Sequence, residues 1–349
     1  MAAASVTIPS ARLESRARKI YRKRGSHMQD GLGRIIDYLR ISITDRCNLR
    51  CKYCMPEEGV PWRDMKEILT YEEIETFCRI GAELGISKIK VTGGEPLVRK
   101  GCPGLIRKLK EIPGIREVTM TTNGVLLEDY LDDLCHAGLD AVNISLDTLC
   151  PEVYESLTGR PYLFKVQKGL EAALSHGLKV KVNVVLQEGI NDGEWKNLTE
   201  LAKDAPLDVR FIELMPIGYG KRGKGIAGDE ILKKLTQDFG PLKEDVEIHG
   251  NGPARYVRIP GYKGSVGFIS AMHGKFCDSC NRLRLTSTGE IKPCLCYGES
   301  FPIRELLRSG DLDGVREILK EAILKKPAEH CFTEIEKVTE TKRMTEIGG

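Results

Sequence analysis

The chain has 349 residues, of which 41% are hydrophobic, so it can bury one large core or two smaller ones. Its 53 Lys and Arg residues nearly balance 50 Asp and Glu residues, and a net charge of +3 argues against a dedicated nucleic-acid binder. The sequence contains no run of 18 apolar residues, which excludes a membrane-spanning helix. The unusual feature is the count of 12 cysteines, which indicates metal ligation or redox chemistry in a reducing compartment. We therefore expect a cytoplasmic protein.

The first 30 residues are basic and are expected to form a poorly ordered arm. Seven Lys or Arg residues lie between Arg12 and Arg24, and Glu14 is the one acid before Asp30. This composition is compatible with an organelle transit peptide, which would place the protein in the mitochondrial matrix. Residues 25–28 read Gly-Ser-His-Met and also look like a cloning remnant.

Six short segments rich in β-branched and apolar residues predict strands, and stretches with helical periodicity lie between them. The predicted strands are Tyr38–Ile43, Ser87–Val91, Glu117–Thr121, Ala141–Leu146, Lys179–Leu186 and Asp208–Leu214. Helical periodicity is clearest over Thr70–Leu84 and Tyr162–His176. Because consecutive parallel strands need a crossover helix, this alternation predicts an α/β fold with an incomplete (β/α)6 barrel of the TIM type. A doubly wound sheet is the alternative.

After Leu214 the pattern changes, and we place a boundary between a barrel domain of residues 31–228 and a smaller α+β module of residues 229–349. A mobile glycine-rich loop is predicted over residues 219–227. The module is predicted to contain helix Asp229–Phe239, strands near Ala254–Ile259 and Ser265–Ile269, and helices near Phe301–Arg308 and Leu312–Leu324.

A C-x3-C-x2-C motif directly follows the first predicted strand and consists of Cys47, Cys51 and Cys54. Three thiols this close in sequence can converge on one metal centre. A structural zinc needs a fourth protein ligand, and no Cys or His follows within the next twenty residues. A [4Fe–4S] cluster held by three thiolates instead leaves one iron open to another ligand. We therefore favour a cluster over zinc and over three unrelated buried cysteines.

This motif, with Tyr53 between its last two thiols, resembles that of the radical S-adenosylmethionine (SAM) superfamily. The resemblance implies that adenosylmethionine chelates the open iron and that one-electron reduction releases a 5′-deoxyadenosyl radical. Residues 92–96, Thr-Gly-Gly-Glu-Pro, end the second strand and look like the superfamily's glycine-rich motif for the methionine amino group. Glycine lacks a side chain, so such a segment lets the backbone approach a ligand closely.

A second cysteine motif begins at Cys277 and Cys280 and is completed by Cys294, fourteen residues after Cys280. Two interpretations remain open: a second cluster with an open iron, which we favour, and a zinc knuckle with Cys296 as fourth ligand. We expect Cys294 and Cys296 to alternate on a short strand and to face opposite sides, which weakens the zinc interpretation.

Two arginines, Arg282 and Arg284, come just after Cys280 and share one face of a predicted strand. Two alternating arginines alone are typical of a solvated strand face. Beside an iron–sulfur site they favour an anion clamp, because guanidinium groups bind phosphate through two parallel hydrogen bonds.

Further segments narrow the resemblance to one family, the GTP 3′,8-cyclases of molybdenum cofactor biosynthesis. These segments are Tyr38–Ser42, Thr121–Gly124, Val142–Thr148, Lys181–Asn183, Val209–Glu213, Cys277–Leu295 and the terminal Ile347–Gly349. The resemblance covers nearly all of the chain from Gly31 onward. It implies conversion of GTP to 3′,8-cyclo-7,8-dihydro-GTP, with hydrogen removed from ribose C3′ before that carbon attacks guanine C8.

The resemblance also assigns roles to individual residues. Cys47, Cys51 and Cys54 would bind one [4Fe–4S] cluster and Cys277, Cys280 and Cys294 a second; Tyr53, Gly94, Ser145 and Met215 would line the adenosylmethionine site; Arg40, Lys90, Thr121, Lys181, Arg282 and Arg284 would bind GTP, with Arg210 as an extra contact. The first three cysteines, Arg282 and Arg284 would form the catalytic set. Lys90 stands where arginine is common in the family, so this position keeps its charge but loses the two-pronged guanidinium. The terminal Gly348 and Gly349 would be thin enough to thread into the active site.

The implied partners are GTP, an electron donor of the flavodoxin or ferredoxin type, and the next enzyme of the pathway. A homodimer is compatible with the resemblance, whereas nucleic acid and membranes are not expected. Two other functions stay open: a radical SAM peptide maturase with an auxiliary cluster, and a non-enzymatic zinc- or cluster-bearing module that binds nucleic acid. The arginine pair argues against the first, and the balanced charge argues against the second.

Overall fold

The computed structural model describes residues 28–61 and 63–348. The predicted disorder of residues 1–27 concerns a segment outside these ranges. Residues 28–30, which we assigned to the same arm, belong to the fold. Met28 and Asp30 are buried, and Gln29 forms a β-bridge with Ile35.

The secondary structure follows the predicted alternation of strands and helices. The strands are β1 (Tyr38–Ser42), β2 (Lys88–Thr92), β3 (Glu117–Thr122), β4 (Ala141–Ser145), β5 (Lys179–Val184), β6 (Leu207–Ile212), β7 (Lys243–Asp245), β8 (Arg255–Arg258), β9 (Val266–Ile269), β10 (Arg282–Leu285), β11 (Glu290–Lys292) and β12 (Phe301–Pro302). The α-helices are α1 (Tyr71–Glu83), α2 (Cys102–Lys110), α3 (Leu127–His136), α4 (Pro151–Thr158), α5 (Leu163–Ser175), α6 (Trp195–Asp204), α7 (Gly228–Phe239), α8 (Arg304–Ser309), α9 (Leu312–Leu324) and α10 (Met344–Ile347).

The described strands form one sheet in the order β12-β11-β10-β1-β2-β3-β4-β5-β6-β9-β8-β7. Strands β1 to β6 lie side by side in chain order, and each neighbouring pair is parallel. A doubly wound sheet has a point where the strand order reverses, and the run from β1 to β6 does not reverse. The incomplete barrel is therefore confirmed and the doubly wound alternative is wrong.

Strands from the C-terminal part extend the barrel sheet at both edges. β10 pairs in parallel with β1, and β9 pairs in parallel with β6, so eight parallel strands stand next to one another. β11 and β12 on one side, and β8 and β7 on the other, continue the sheet with antiparallel pairs. The sheet is thus continuous across residue 228, and the domain boundary there stays a prediction.

The central strands have one apolar and one polar face. In β1, the buried Leu39 and Ile41 belong to the hydrophobic core, whereas Tyr38 and Arg40 line the barrel interior. Strands β2 to β6 repeat this alternation, because successive side chains of a strand point to opposite sides of the sheet. The apolar faces contribute to the hydrophobic core, and the polar faces surround a central cavity.

Two details differ from the sequence predictions. Residues 219–222 of the predicted loop belong to a 3-10 turn, Gly218–Arg222. The predicted helix over Phe301–Arg308 begins only at Arg304, because its first two residues pair with β11 as strand β12. None of the helices in the described ranges has both the length and the apolar character needed to cross a bilayer.

Candidate functional site

The barrel interior contains a cavity of about 940 Å³ that reaches from the first cysteine motif to the second. Most of the predicted site residues line it. They are Tyr53, Cys54, Ser145, Met215, Arg40, Lys90, Thr121, Lys181, Arg210, Arg282, Arg284, Cys277, Cys280 and Cys294. Three predicted site residues, Cys47, Cys51 and Gly94, are not part of its lining.

The first triad lies on the loop that follows β1. Two backbone hydrogen bonds hold this loop to the end of α4, from the Arg50 N–H to the Thr158 oxygen at 2.7 Å and from the Lys52 N–H to the Leu157 oxygen at 3.0 Å. Burial raises the pKa of Cys47 to about 11. The pKa values of Cys51 and Cys54 are raised by burial and then by the neighbouring thiols.

The thiols of the first triad lie near enough to one another to raise each other's pKa values. Buried thiols of this kind become thiolates when a cationic metal centre compensates their charge. Zinc would need its ligand sulfurs about 4 Å apart, given Zn–S bonds of about 2.3 Å. No three Cys, His, Asp or Glu side chains among residues 28–61 and 63–348 converge on the position of a single ion. Three buried thiols on one loop fit a [4Fe–4S] cluster, in which each thiolate binds a different iron and one iron is left open.

Gly93 and Gly94 pack against the start of the cysteine loop. The Gly94 N–H donates to the Thr44 oxygen at 2.7 Å, and the Glu95 N–H donates to the Arg46 oxygen at 2.8 Å. A Cβ atom on Gly94 would lie 2.6 Å or less from the oxygens of Asp45 and Arg46. Close packing against the cysteine loop therefore requires glycine at this position, whether or not a ligand binds there. The binding role of Gly94 stays a prediction.

Tyr53 and Asp147 connect the cysteine loop to the end of β4. The Tyr53 hydroxyl donates to Asp147 Oδ2 at 2.6 Å, and the Val185 N–H donates to Asp147 Oδ1 at 2.8 Å. Burial raises the pKa of Asp147 to about 6, and these two hydrogen bonds partly oppose the shift. Asp147 lines the cavity, although it was not among the predicted site residues.

A group of cations lines the cavity between the two triads. In the sheet, Arg40 on β1 lies beside Lys90 on β2 and Arg284 on β10. Burial and then Arg210 lower the pKa of Lys90 well below its usual value, and they lower that of Lys181 to about 8. Like charges held this close in a buried space favour a polyanionic ligand.

Thr121 adds a neutral group to the same wall. Its Oγ1 is buried and has no hydrogen-bond partner among the described residues. A buried hydroxyl of this kind costs free energy unless a ligand or water pairs with it. Its position is consistent with the predicted contact to substrate.

In the second triad, Cys277 and Cys280 precede β10 and Cys294 follows β11. Burial alone would raise the pKa of Cys280, but Lys326 and Arg282 lower it to about 7. Lys326 is buried, and its ammonium donates to the oxygens of Arg282 and Pro293 at 2.8 and 2.7 Å. No local pattern pointed to Lys326, because it lies on a segment far along the chain from the cysteine motif.

Cys294 and Cys296 have different surroundings, although the predicted strand that carries them is wrong. β11 ends at Lys292, and Pro293, which lacks a backbone N–H, begins an irregular segment. Cys294 lines the cavity, whereas Cys296 is fully buried with its Sγ 3.2 Å from Cys331 Sγ.

The C-terminal segment returns to the barrel. An Arg284 guanidinium N–H donates to the Gly348 oxygen. Gly348 has a φ of 77°, and a Cβ there would lie 2.5 Å from Thr92 Oγ1 at the end of β2. The C-terminal tail therefore contacts the barrel strands as far as Gly348. Gly349 lies outside the described residues.

The fold and the two cysteine triads define the class of a radical SAM enzyme. The model of the radical SAM superfamily matches residues 41–202, and that of the Molybdenum Cofactor Synthesis C family matches residues 207–332. Among solved structures, Streptococcus suis SuiB has the same fold, with a TM-score of 0.60 at 16% identity over 97% of this chain and 83% of SuiB.

Curated relatives narrow the class to one family. The GTP 3′,8-cyclase of Clostridium perfringens is 44% identical over 92% of this chain and all of its own length. That of Peptoclostridium acidaminophilum is 47% identical over 93% of this chain and 99% of its own length. The chain belongs to the GTP 3′,8-cyclase family, and its superfamily implies adenosylmethionine and a [4Fe–4S] cluster as cofactors.

Proposed function

We propose that this chain converts GTP to 3′,8-cyclo-7,8-dihydro-GTP in the first step of molybdenum cofactor biosynthesis. The observation that supports this most is one cavity that borders two cysteine triads and has buried cations between them. A nucleoside triphosphate supplies several negative charges at one end and an uncharged base at the other. That distribution matches cations in the barrel and an open iron beside the guanine at the second triad.

The first triad would hold a [4Fe–4S] cluster, and Cys277, Cys280 and Cys294 would hold a second one. When bound, the reduced first cluster and adenosylmethionine would supply a 5′-deoxyadenosyl radical able to remove hydrogen from ribose C3′. The C3′ radical would add to guanine C8, and one electron from the reductant together with one proton would complete the dihydro product. Tyr53, Gly94, Ser145 and Met215 would contact adenosylmethionine.

The task of the protein in this reaction is to position the substrate. Arg40, Lys90, Lys181, Arg210, Arg282 and Arg284 would bind GTP, and Thr121 would donate a hydrogen bond to it. Cations on separate strands fix a triphosphate from several directions, so that C3′ is held close to the radical source. The surrounding walls of the barrel would restrict the access of other molecules to the radical and so limit side reactions.

A peptide maturase is the second candidate, because SuiB shares the fold at 16% identity. The cation-lined interior favours a nucleotide over a peptide. A one-electron donor of the flavodoxin or ferredoxin type, transfer of the product to the next enzyme, and a homodimer complete the proposal.

Anaerobic reconstitution followed by iron and zinc analysis tests the clusters. We expect about eight irons per chain, from two four-iron clusters. One zinc per triad would contradict both the cyclase and the maturase.

The reduced protein is then incubated with adenosylmethionine, with and without GTP. We expect 5′-deoxyadenosine to form faster with GTP and the cyclised nucleotide to appear with it. Equal rates with and without GTP would contradict the cyclase while leaving the radical SAM class intact.

A further inference from the structure

Asn123 follows β3 and lies beside the first triad. The family resemblance assigned no role to this residue. The side-chain Nδ2 of this buried residue donates to Asn48 Oδ1 at 2.7 Å and lies 3.6 Å from Cys47 Sγ, within range of a hydrogen bond to sulfur. The Leu49 N–H donates to the same sulfur at 3.4 Å. Cys47 is therefore approached by a side-chain donor from the loop that follows β3.

The orientation of the Asn123 amide follows from its other contacts. Its Oδ1 accepts the Val125 N–H at 3.0 Å, so Nδ2 is the atom that faces Cys47. Its backbone N–H donates to Glu95 Oε2 at 2.7 Å, and the Thr122 hydroxyl donates to Glu95 Oε1 at 2.8 Å. The two Glu95 contacts join the ends of β2 and β3, and rotation of the Asn123 amide away from the sulfur would break its own bonds with the Val125 N–H and Asn48 Oδ1.

We propose that Asn123 is a positioning residue that holds Cys47 Sγ and raises the reduction potential of the first cluster. The inference rests on the proposed function, which places a cluster at this triad. Reduction adds negative charge to a cluster and its thiolates. A donor to a ligand sulfur therefore stabilises the reduced form more than the oxidised form and makes the electron easier to accept.

The test compares two substitutions of Asn123 with a matched change next to it. Asn123→Asp keeps the oxygen that accepts the Val125 N–H but replaces the donor with a charged oxygen. Asn123→Ala removes the donor without adding charge. Thr122→Val disturbs the same turn, because it removes the bond to Glu95, but leaves the Asn123 amide in place.

The measurement is an anaerobic redox titration of the reconstituted holoenzyme, followed by electron paramagnetic resonance. Signals that change when adenosylmethionine is added identify the first cluster, and the second cluster serves as an internal control. Iron per chain is measured on the same samples.

We expect Asn123→Asp to lower the equilibrium constant for reduction of the first cluster at least about tenfold, a shift of about 59 mV for one electron. Asn123→Ala should shift the potential in the same direction by less, and Thr122→Val should leave it unchanged. The potential of the second cluster should be the same in all four proteins. If Asn123→Asp fails to retain iron, the Asn123→Ala variant decides the question.

An unchanged potential in an iron-loaded Asn123 variant would overturn the inference, and so would an equal shift in Thr122→Val. Failure of the proposed function has a different signature. The wild type itself would then lack the first cluster or would not cleave adenosylmethionine.

Discussion

The two cysteine triads use opposite means to prepare a metal site. The first lies within eight residues on one loop and is buried near Asp147 and Glu95, so burial, mutual repulsion and these carboxylates raise the pKa values of its thiols. The second spans 18 residues and has cations beside it, which lower the pKa of Cys280 to about 7. The first site thus depends on the bound metal for its charge balance, whereas the fold itself supplies positive charge at the second.

The largest effect should come from removing one thiol of each triad. Cys54→Ser and Cys280→Ser should each reduce the iron content from about eight to about four per chain. Cys54→Ser should abolish 5′-deoxyadenosine formation, whereas Cys280→Ser should retain it and lose the cyclised product. Iron analysis and chromatography of both products check this, and equal loss of 5′-deoxyadenosine would erase the functional difference between the triads.

The next comparison lies within the second triad. Cys294→Ser should remove the second cluster, because Cys294 faces the cavity, whereas Cys296→Ser should leave it in place, because Cys296 contacts Cys331 in a buried cluster. Iron per chain after anaerobic desalting measures the difference. Similar iron loss in both variants would refute the assignment of Cys294 as the ligand.

A smaller effect is expected from Lys326→Met, which removes a buried positive charge beside Cys280. Charge-assisted hydrogen bonds contribute about 1.5–3 kcal/mol, so the second triad should retain iron roughly tenfold less tightly. The first triad should keep its iron. The exposed neighbour provides the control, since Lys325→Met changes the same net charge at the surface, and a chelator titration of both variants reports the affinity.

The smallest effect concerns the cations between the triads, which we expect to act on substrate and not on the clusters. The pKa of Lys181 is lowered to about 8, so its charge is present below pH 8 and lost above it. The value of kcat/KM for GTP should therefore fall several-fold as the pH rises through about 8. Lys181→Arg should flatten this fall without changing the iron content, and an unchanged pH profile in Lys181→Arg would show that another group causes it.

Local signals in the sequence predicted the barrel strands and the two cysteine motifs, whereas the cations of the cavity were assigned by the resemblance to the GTP 3′,8-cyclases. The alternation of apolar and polar residues predicts β1 and β2, and the spacing of Cys47, Cys51 and Cys54 predicts a loop that binds a cluster. Contacts between distant segments left no local signal. Lys326, which follows α9, lies beside the second triad. Strands β9 and β10 are consecutive in the chain, but β9 pairs with β6 and β10 pairs with β1, which only the tertiary fold determines.

The polar interior of the barrel has a consequence for folding. Its cations are buried on adjacent strands and repel one another, so burial and then repulsion lower their pKa values at a cost to the free energy of folding. An anionic nucleotide relieves this repulsion, and by linkage it must raise the thermal stability of the protein. The repulsion between the cations thus lowers the stability of the unliganded fold but increases its affinity for an anionic substrate. The bound substrate then stabilises the fold as a structural element would.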